Sequence, residues 1–284
     1  MHKLMSGSLS VETPTVAIVG LPVALEGCKL VHLSDFHYDG VRLSEELLAE
    51  AIDASNAANP DLVLLTGDFV TDDPQPIHAL AKRLKHLQSR GGTFAVLGNH
   101  DLHYRRSKAE IIQALSDVDI RVLWNQIAYP LHPQLALVGL PDFWSSEFNP
   151  ALTLNQLDPT VPRIVLSHNP DSAEPLSKWR VDLQLSGHTH GGQVVLPKFG
   201  PVPQLVKSFY RSLPKPIRRK IPYLKSCYRA VKHWEWSEGF HRIGSNSLYV
   251  NRGLGTYLPG RFFCPPEVTV ITLVSTPQIT QFPS

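Results

Sequence analysis

Two histidines separated by one residue, His188 and His190, lie in the segment LSGHTHGGQ at residues 185–193. Imidazole nitrogens are frequent ligands of zinc and similar divalent ions, so this pair could bind metal. The chain has 13 histidines, and about one accidental His-x-His pair is expected among so many. The pair alone is therefore a weak indication, and its meaning depends on what other segments place beside it.

Four other segments share one pattern with this one: a short apolar run that stops at a polar cluster. They are KLVHLSDFH, DLVLLTGDF, GTFAVLGNHD and RIVLSHNPD. Short continuous apolar runs predict buried β-strands. The polar side chains at the ends of the five runs are Asp35, His37, Asp68, Asn99, His100, Asp101, His168, His188 and His190.

Helical patterns separate the first of these strands. Residues 44–58 and 76–90 each place apolar side chains on one face, and SKAE at 107–110 has the pattern of a capping box that opens a third helix. Strand–helix alternation predicts an α/β domain. Because ligands of such sheets bind beyond the carboxyl ends of the strands, the polar clusters are expected to converge there.

The second half of the chain has strands without convincing helices between them. These are the segments at 135–140, 247–251 and 267–274. We therefore expect a more antiparallel arrangement in this half, and a mixed or double sheet overall.

The nine polar residues combine carboxylate, amide and imidazole groups and include no cysteine. Such a set suits borderline or hard divalent ions such as Mn, Fe, Zn, Co or Ni rather than a thiolate zinc site. Seven plausible ligands are too many for one ion. They match two ions that share a bridging carboxylate, the arrangement used for in-line attack on phosphorus.

The blocks DFH, GDF, GNHD, SH and GHTH occur in the order typical of calcineurin-like metallophosphoesterases, which the chain resembles from about residue 28 to 274. The segments GHTHGGQV and NRGLGTYLPGRFFCPPEVTVITL are similar to one bacterial branch of membrane-associated phosphodiesterases. Some members of that branch are UDP-2,3-diacylglucosamine pyrophosphatases. The resemblance implies a four-layer α/β/β/α sandwich of two mixed sheets, with a dinuclear metal site at the strand ends.

The resemblance also implies which residues bind the two divalent ions. Manganese is the favoured metal. Asp68 would bridge the ions, because its two carboxylate oxygens can bind both, and a hydroxide between the ions would attack phosphorus. The remaining ligands would be Asp35, His37 and His190 for the first ion, and Asn99, His168 and His188 for the second.

Four further residues are candidates for contact with the substrate or for catalysis. By resemblance, His100 would stabilise the phosphoryl oxygens or protonate the departing oxygen, and Asp101 would orient the His100 imidazole. Arg252 and Arg261 lie in the block NRGLGTYLPGR, and a guanidinium suits a phosphate. A structural ion pair is an equally good interpretation of both arginines.

The composition is that of a globular protein: 43% of the 284 residues are hydrophobic and 18% are charged. We expect a single domain over residues 1–284, with residues 1–14 flexible. The apolar stretch at 15–25 is too short to cross a membrane and indicates a strand. The three cysteines are too sparse for a disulfide framework, which is compatible with a reducing compartment, so a cytoplasmic location is expected.

Positive charge is concentrated in one segment. Ten of the 27 basic residues lie between Lys198 and Lys232, where no acidic residue occurs, and this leaves 17 basic against 25 acidic residues elsewhere. Aromatic residues are interspersed through residues 198–236. This insertion could be a solvated loop, a nucleic-acid contact, or an attachment to the anionic inner face of a membrane. The resemblance favours the membrane, and no nucleic acid is expected.

Together these features predict a metal-dependent phosphoric ester hydrolase. Its substrate would contain a phosphodiester or pyrophosphate bond and would be lipid-linked, for example UDP-2,3-diacylglucosamine. A nucleotide or nucleic-acid phosphodiesterase is the alternative. A non-catalytic scaffold of the same fold is disfavoured, because degenerate scaffolds usually lose ligands and none is missing here.

Overall fold

The computed structural model describes residues 5–220 and 229–276, in which strands and helices alternate through most of the chain. The strands are β1 (Ser10–Glu12), β2 (Thr15–Val19), β3 (Lys29–Leu33), β4 (Leu62–Leu65), β5 (Thr93–Ala95), β6 (Ile120–Val122), β7 (Gln126–Ala128), β8 (Ala136–Gly139), β9 (Arg163–Leu166), β10 (Leu183–Ser186), β11 (Val195–Leu196), β12 (Gly200–Pro201), β13 (Gly239–Ile243), β14 (Asn246–Val250) and β15 (Glu267–Thr276). The α-helices are α1 (Glu45–Ala57), α2 (Ile77–Leu84), α3 (Ser107–Ser116), α4 (Ala151–Leu154), α5 (Ala173–Leu176), α6 (Val202–Ser212) and α7 (Lys215–Lys220).

The first sheet has the order β1-β15-β3-β4-β5-β6, and β2 also pairs with β15. Strands β3 to β6 are parallel, whereas β15 runs antiparallel to β3 and parallel to β1 and β2. Strand β1 lies within residues 1–14, for which flexibility is expected from the sequence. The segment Ser10–Glu12 pairs in register with β15.

The second sheet has the order β13-β14-β10-β9-β8-β7. Its four inner strands are parallel, and β13 and β7 at the edges are antiparallel to their neighbours. The predicted mixed double sheet is confirmed, and β8, β14 and β15 each have an antiparallel neighbour, but β8, β9, β10 and β14 are parallel to one another. The reason is that the crossovers before β9 and β10 use helices α4 and α5 of four residues each, too short to give a helical sequence pattern.

Apolar cores lie between the layers of the molecule. One lies between the sheets and includes Leu30, Leu64 and Leu166. A second packs α1 to α3 on the outer face of the first sheet, and a third packs α4 and α5 against β8 and β9. Buried faces on both sides of each sheet explain why the parallel strands are continuous apolar runs. The four-layer α/β/β/α arrangement is thus confirmed.

The helix boundaries agree with the sequence at α1 and differ at α2 and α3. Ser44 caps α1, its hydroxyl accepting a hydrogen bond from Leu47 N at 3.2 Å. Helix α2 ends at Leu84 rather than near residue 90, because His86 and Leu87 form tighter turns onto Arg83 O and Leu84 O. The predicted capping box at 107–110 is wrong: Ser107 is already helical, and its buried hydroxyl has no hydrogen-bond partner within the part of the chain that the structure describes.

Candidate metal centre

The predicted ligands follow the carboxyl ends of strands from both sheets. Asp35 and His37 come after β3 and Asp68 after β4 of the first sheet, whereas His168 comes after β9 of the second. His188 and His190 come after β10. The two sheets therefore place their strand ends at a common edge, and the side chains converge although they are up to 155 residues apart in sequence.

The backbone at this edge is unusual. Five candidate ligand residues have left-handed φ values between 43° and 71°. This backbone conformation costs an L-residue about 1–3 kcal/mol. Hydrogen bonds between neighbouring loops, such as Asp35 N to Gly67 O at 3.0 Å, hold this conformation. The five residues are Asp35, His37, Asp68, His188 and His190.

Glycine is required at two positions where the backbone approaches a carboxylate closely. A Cβ at Gly187 would collide with Asp35 Oδ2 and Ser34 Oγ, and a Cβ at Gly98 would collide with Asp68 Oδ1. The backbone N–H of His188, next to Gly187, donates to Asp35 Oδ1 and Oδ2 at 3.0 and 2.9 Å. These glycines let the β5 and β10 loops approach the two carboxylates closely.

Asp35, His37 and His190 form one group of potential ligands. Their ligand atoms lie within 4.8 Å of one another. Asp35 Oδ1 lies 3.5 Å from His190 Nε2 and 4.0 Å from His37 Nε2, and the two Nε2 atoms lie 3.1 Å apart. The three side chains are buried.

Asp68, His168 and His188 form a second group with the same spacing. Asp68 Oδ2 lies 3.1 Å from His168 Nε2, and His188 Nδ1 lies 3.2 Å from the same nitrogen. Asp68 Oδ2 is also 3.4 Å from His37 Nε2, which belongs to the first group. Asp68 therefore occupies the position between the groups that a bridging carboxylate requires.

Each imidazole in the two groups has its second nitrogen anchored to an oxygen. Such an anchor fixes the ring orientation and leaves the first nitrogen facing the group, which is the usual arrangement around metal-binding histidines. The anchors are Tyr257 Oη for His37 Nδ1 at 3.0 Å, Thr66 O for His168 Nδ1 at 2.7 Å, Gly255 O for His190 Nδ1 at 3.2 Å and Ala230 O for His188 Nε2 at 2.9 Å.

Burial keeps most of these imidazoles neutral. It lowers the pKa of His190 to about 4, and it also lowers the pKa values of His37 and His188. Burial alone would lower the pKa of His168, but the adjacent Asp68 carboxylate raises it to about 10. A neutral imidazole has a lone pair available for a cation, and at His168 a bound cation would replace the proton.

Asn99 adds an amide oxygen to the set. Its Oδ1 is buried and has no hydrogen-bond partner among the described residues. A buried polar atom without a partner is costly unless a ligand satisfies it. This orphaned oxygen, the shared Asp68 oxygen and the cysteine-free donor set fit two hard or borderline divalent ions.

His100 lies beside the first group. The ligand atoms of His100, His37 and Asp68 lie within 4.8 Å of one another, and the His100 and His37 rings meet edge to face at 4.8 Å. His100 Nδ1 is 2.5 Å from Thr71 O, so this carbonyl orients the ring. The side chain is partly exposed, as a group that contacts substrate must be.

Asp101 does not orient His100, and this part of the prediction is wrong. Its carboxylate accepts hydrogen bonds from the backbone N–H groups of Asp68 and Phe69 at 2.8 Å, of Gly98 at 2.9 Å and of Val70 at 3.3 Å. Asp101 is buried beneath the loops that follow β4 and β5. Asp101 therefore holds Asp68 in place. The backbone carbonyl of Thr71, rather than Asp101, orients the His100 imidazole.

Arg252 and Arg261 are also placed differently from the phosphate-binding expectation. Arg252 forms ion pairs with Glu12, Glu267 and Glu238 at 2.6, 3.0 and 3.4 Å. Its guanidinium is committed to these carboxylates, so the structural ion pair is the correct interpretation.

Arg261 binds the loop that carries its neighbour. Its Nη2 donates to the carbonyl oxygens of Arg252, Gly253 and Gly255 at 2.8, 3.0 and 2.7 Å. Gly255 O is the atom that anchors His190. Arg261 thus supports the metal centre through the loop rather than binding phosphate.

Three residues near the centre were not predicted from the sequence. Tyr257 anchors His37, Trp144 packs its ring edge to face on His188 at 4.9 Å, and Asp142 lies buried at the start of the same loop. Asp142 follows strand β8, in the segment LALVGLPD. This is the same pattern of an apolar run ending in a carboxylate, so the signal was present in the sequence.

Known proteins are similar to most of this chain. The calcineurin-like phosphoesterase family model matches residues 28–192. Phosphodiesterase YaeI of Escherichia coli is 33% identical over 251 residues, covering 87% of this chain and 82% of its own. The uncharacterized metallophosphoesterase YkuE of Bacillus subtilis is 33% identical over 263 residues, covering 90% and 82%.

A third relative carries a more specific name. The UDP-2,3-diacylglucosamine pyrophosphatase LpxG of Chlamydia trachomatis is 28% identical over 306 residues, covering 89% of this chain and 85% of its own. With the family match and the two groups of potential ligands around Asp68, these relatives support a metal-dependent phosphoester hydrolase. The chain belongs to the calcineurin-like phosphoesterase family.

Proposed function

We propose that this enzyme hydrolyses a phosphodiester or pyrophosphate bond in a lipid-linked substrate, with UDP-2,3-diacylglucosamine as the first candidate. The observation that carries the proposal is a run of exposed apolar side chains beside the metal centre. Leu258, Phe262 and Phe263 are 82%, 52% and 65% exposed. They follow Tyr257, whose hydroxyl contacts His37. A soluble substrate gives no reason for apolar side chains at this position, whereas acyl chains do.

The segment with these exposed apolar side chains, residues 258–263, pairs with the residues that directly precede the basic insertion. Phe262 N donates to Gln193 O at 2.8 Å, and Val195 N donates to Phe262 O at 2.9 Å. Phe199, a few residues further on, is 71% exposed. Exposed apolar side chains from two adjacent segments thus lie close to the histidines that follow β10, where the lipid part of a substrate can contact them.

Peripheral attachment of the enzyme to the anionic inner face of a membrane is part of the proposal. Helix α6 has no buried residue, and it carries the exposed Phe209 together with Lys207 and Arg211. Phe209 and Arg211 are exposed and Lys207 is partly exposed, and aromatic and basic side chains together on one short helix suit the interface between head groups and acyl chains. Residues 221–228 of the insertion, with Tyr223, Lys225 and Tyr228, lie outside the described residues.

No helix within residues 5–220 and 229–276 combines the length and the hydrophobicity needed to span a bilayer.

The residues at the centre have distinct tasks in this proposal. Asp35, His37 and His190 hold one ion, Asn99, His168 and His188 hold the other, and Asp68 lies between them. When bound, the ions supply Lewis-acid stabilisation of phosphoryl charge and activation of water. His100, oriented by Thr71 O, contacts a phosphoryl oxygen or donates a proton to the departing oxygen.

A hydrolysis screen with manganese-loaded enzyme tests the substrate. It compares UDP-2,3-diacylglucosamine, bis-p-nitrophenyl phosphate, p-nitrophenyl phosphate and cyclic nucleotides. We expect the highest kcat/KM for the lipid-linked pyrophosphate and little activity on the monoester. A preference for cyclic nucleotides over UDP-2,3-diacylglucosamine and bis-p-nitrophenyl phosphate would replace the lipid-linked proposal by the nucleotide phosphodiesterase alternative.

Liposome co-sedimentation tests the membrane contact. Binding to vesicles that contain phosphatidylglycerol should exceed binding to vesicles of phosphatidylcholine, and it should fall when Lys207 and Arg211 are both replaced by Gln. The matched control replaces Lys82 and Lys85, exposed at the end of α2. Equal binding to both vesicle types, or to neither, would contradict this part of the proposal.

A further inference from the structure

We propose that Trp144 is the stacking surface for the base of a nucleotide-containing substrate, which places the nucleoside of the candidate substrate beside His188. The inference rests on the proposed function, since it assumes hydrolysis at the metal centre, and it names the chemical class of one substituent on the phosphorus. The lipid portion of the substrate is assigned to Leu258 and Phe262, in the segment that follows Tyr257, whose hydroxyl contacts His37.

Trp144 combines exposure with direct contact to a ligand residue. The side chain is 52% exposed, although its ring lies 4.9 Å from the His188 ring at an interplanar angle of 84°. The contact with His188 is edge to face and occupies one side of the indole. The exposed part of the indole therefore lies beside a residue of the second group, where it can contact a substituent on a phosphate held there.

The loop that carries Trp144 is fixed by a buried carboxylate. Asp142 Oδ2 accepts a hydrogen bond from Trp144 N at 2.8 Å, and Asp142 O accepts one from Ser145 N at 2.9 Å. Asp142 is 1% exposed. Phe143 and Phe148 pack edge to face at 5.2 Å within the same loop. An exposed indole on an ordered loop binds a planar ring with little loss of conformational entropy.

The residues that follow Trp144 in its loop are polar, which favours a base over an acyl chain as the group that contacts it. The next residues are Ser145, Ser146 and Glu147, and Glu147 accepts hydrogen bonds from Lys108 Nζ and Trp124 Nε1 at 2.7 Å. These polar groups suit the polar edges of a heterocycle whose face lies on the indole. The apolar side chains Leu258 and Phe262 lie by contrast in the block that follows Tyr257 and His37.

The two sides of the centre therefore differ in chemistry. An aromatic ring with polar neighbours is packed on His188, and an exposed aliphatic and aromatic run adjoins the residue that anchors His37. A phosphodiester or pyrophosphate with a base on one substituent and a lipid on the other matches this difference. A substrate with lipids on both substituents leaves Trp144 without a role.

Equilibrium dialysis of manganese-loaded enzyme with UMP and with ribose 5-phosphate tests the stacking directly. The two ligands share the phosphate and the sugar and differ by the base. We expect the wild type to bind UMP roughly tenfold more tightly than ribose 5-phosphate, in line with base–aromatic stacking. The Trp144→Leu variant should lose most of this ratio, and Trp144→Phe should keep most of it. Trp179→Phe, at a tryptophan bonded to Asn155, is the matched control.

The outcome separates stacking from a merely structural contact. If Trp144→Leu weakens UMP, ribose 5-phosphate and inorganic phosphate by the same factor, the indole acts only by supporting His188, and the proposal is overturned. Equal affinities of the wild type for UMP and ribose 5-phosphate would overturn it as well. A thermal unfolding scan of each variant confirms that the fold is retained.

Kinetics extend the same comparison to turnover. The ratio of kcat/KM for a UDP-containing pyrophosphate to that for glycerophosphoethanolamine should fall about tenfold in Trp144→Leu, mainly through KM. Failure of the lipid-linked proposal would appear as a lack of preference for acylated over deacylated UDP-glucosamine. That result leaves the UMP binding ratio unaffected, so the two failures can be told apart.

Discussion

Asp68 Oδ2 lies 3.1 Å from His168 Nε2, and both side chains are buried. Asp68 follows a strand of the first sheet and His168 a strand of the second, so this contact joins the two halves of the fold at their common edge. The charge on Asp68 opposes the effect of burial on the pKa of His168. The metal centre is therefore also a contact that holds the sheets together.

Replacing Asp68 by Asn should remove the bridge between the ions. A carboxamide has one oxygen and no charge, so the two groups of ligands lose their shared donor. We expect metal analysis to find about one ion or fewer per chain and hydrolysis of bis-p-nitrophenyl phosphate to fall at least about a hundredfold. The matched control is Asp53→Asn on the exposed face of α1. Full activity of Asp68→Asn would rule out the bridging role.

His100→Ala should lower kcat without altering metal content. Loss of a residue that transfers a proton costs roughly 10²–10⁴ in rate. If His100 protonates the departing oxygen, the loss will be larger for an alkyl ester than for a p-nitrophenyl ester, whose leaving group needs no proton. An equal loss for both esters would assign His100 to stabilisation of phosphoryl oxygens instead. Unchanged kcat on both would exclude His100 from catalysis.

Asp101→Asn should destabilise the fold rather than act through His100. The amide can accept hydrogen bonds through one oxygen only, so some of the backbone N–H groups of residues 68–70 and 98 are left unpaired. We expect a loss of about 3 kcal/mol in urea unfolding. Asp117→Asn, at a side chain bonded to Gln113 on the surface, should cost less than about 0.5 kcal/mol. Unchanged stability with a shifted pH–rate profile would restore the orienting role.

The convergence of the candidate ligands was largely predictable from the sequence, because it depends on a local pattern of buried strands that end in polar residues. Asp35, Asp68 and His168 each follow such a run, and parallel strands bring their carboxyl ends to one edge. What each side chain contacts was less predictable. Asp101 and His100 are adjacent in sequence, yet the carboxylate points to backbone amides and the imidazole to Thr71 O.

Contacts between residues far apart in sequence explain the other differences between the predicted and the observed site. The guanidinium of Arg252 meets Glu12, which is 240 residues away, and nothing in the block NRGLGTYLPGR indicates that partner. The left-handed backbone at His188 and His190 is also invisible in sequence, because these residue types normally avoid it. The surrounding loops impose it.

Arg252→Ala should reduce stability and leave KM unchanged. Glu267, 1% exposed, would lose the guanidinium that lies 3.0 Å away, and an unpaired buried carboxylate costs about 3–5 kcal/mol. Urea unfolding measures the loss, and KM for bis-p-nitrophenyl phosphate measures phosphate binding. The control is Arg242→Ala, which removes an exposed guanidinium. A raised KM with unchanged stability would return Arg252 to the substrate site.

His32 should make the fold less stable in acid. Burial lowers the pKa of His32 to about 3, so the folded chain keeps the ring neutral while the unfolded chain binds a proton below about pH 6.5. Stability contributed by the neutral ring is complete above that pH and is lost as the pH falls towards 3. The slope of unfolding free energy against pH from this one group approaches about 1.4 kcal/mol per pH unit.

His32→Gln should therefore flatten the dependence of the unfolding free energy on pH, measured by urea unfolding between pH 6.5 and 5, relative to wild type. His86→Gln, at an exposed histidine after α2, should leave the slope unchanged, and equal slopes in wild type and His32→Gln would contradict the prediction.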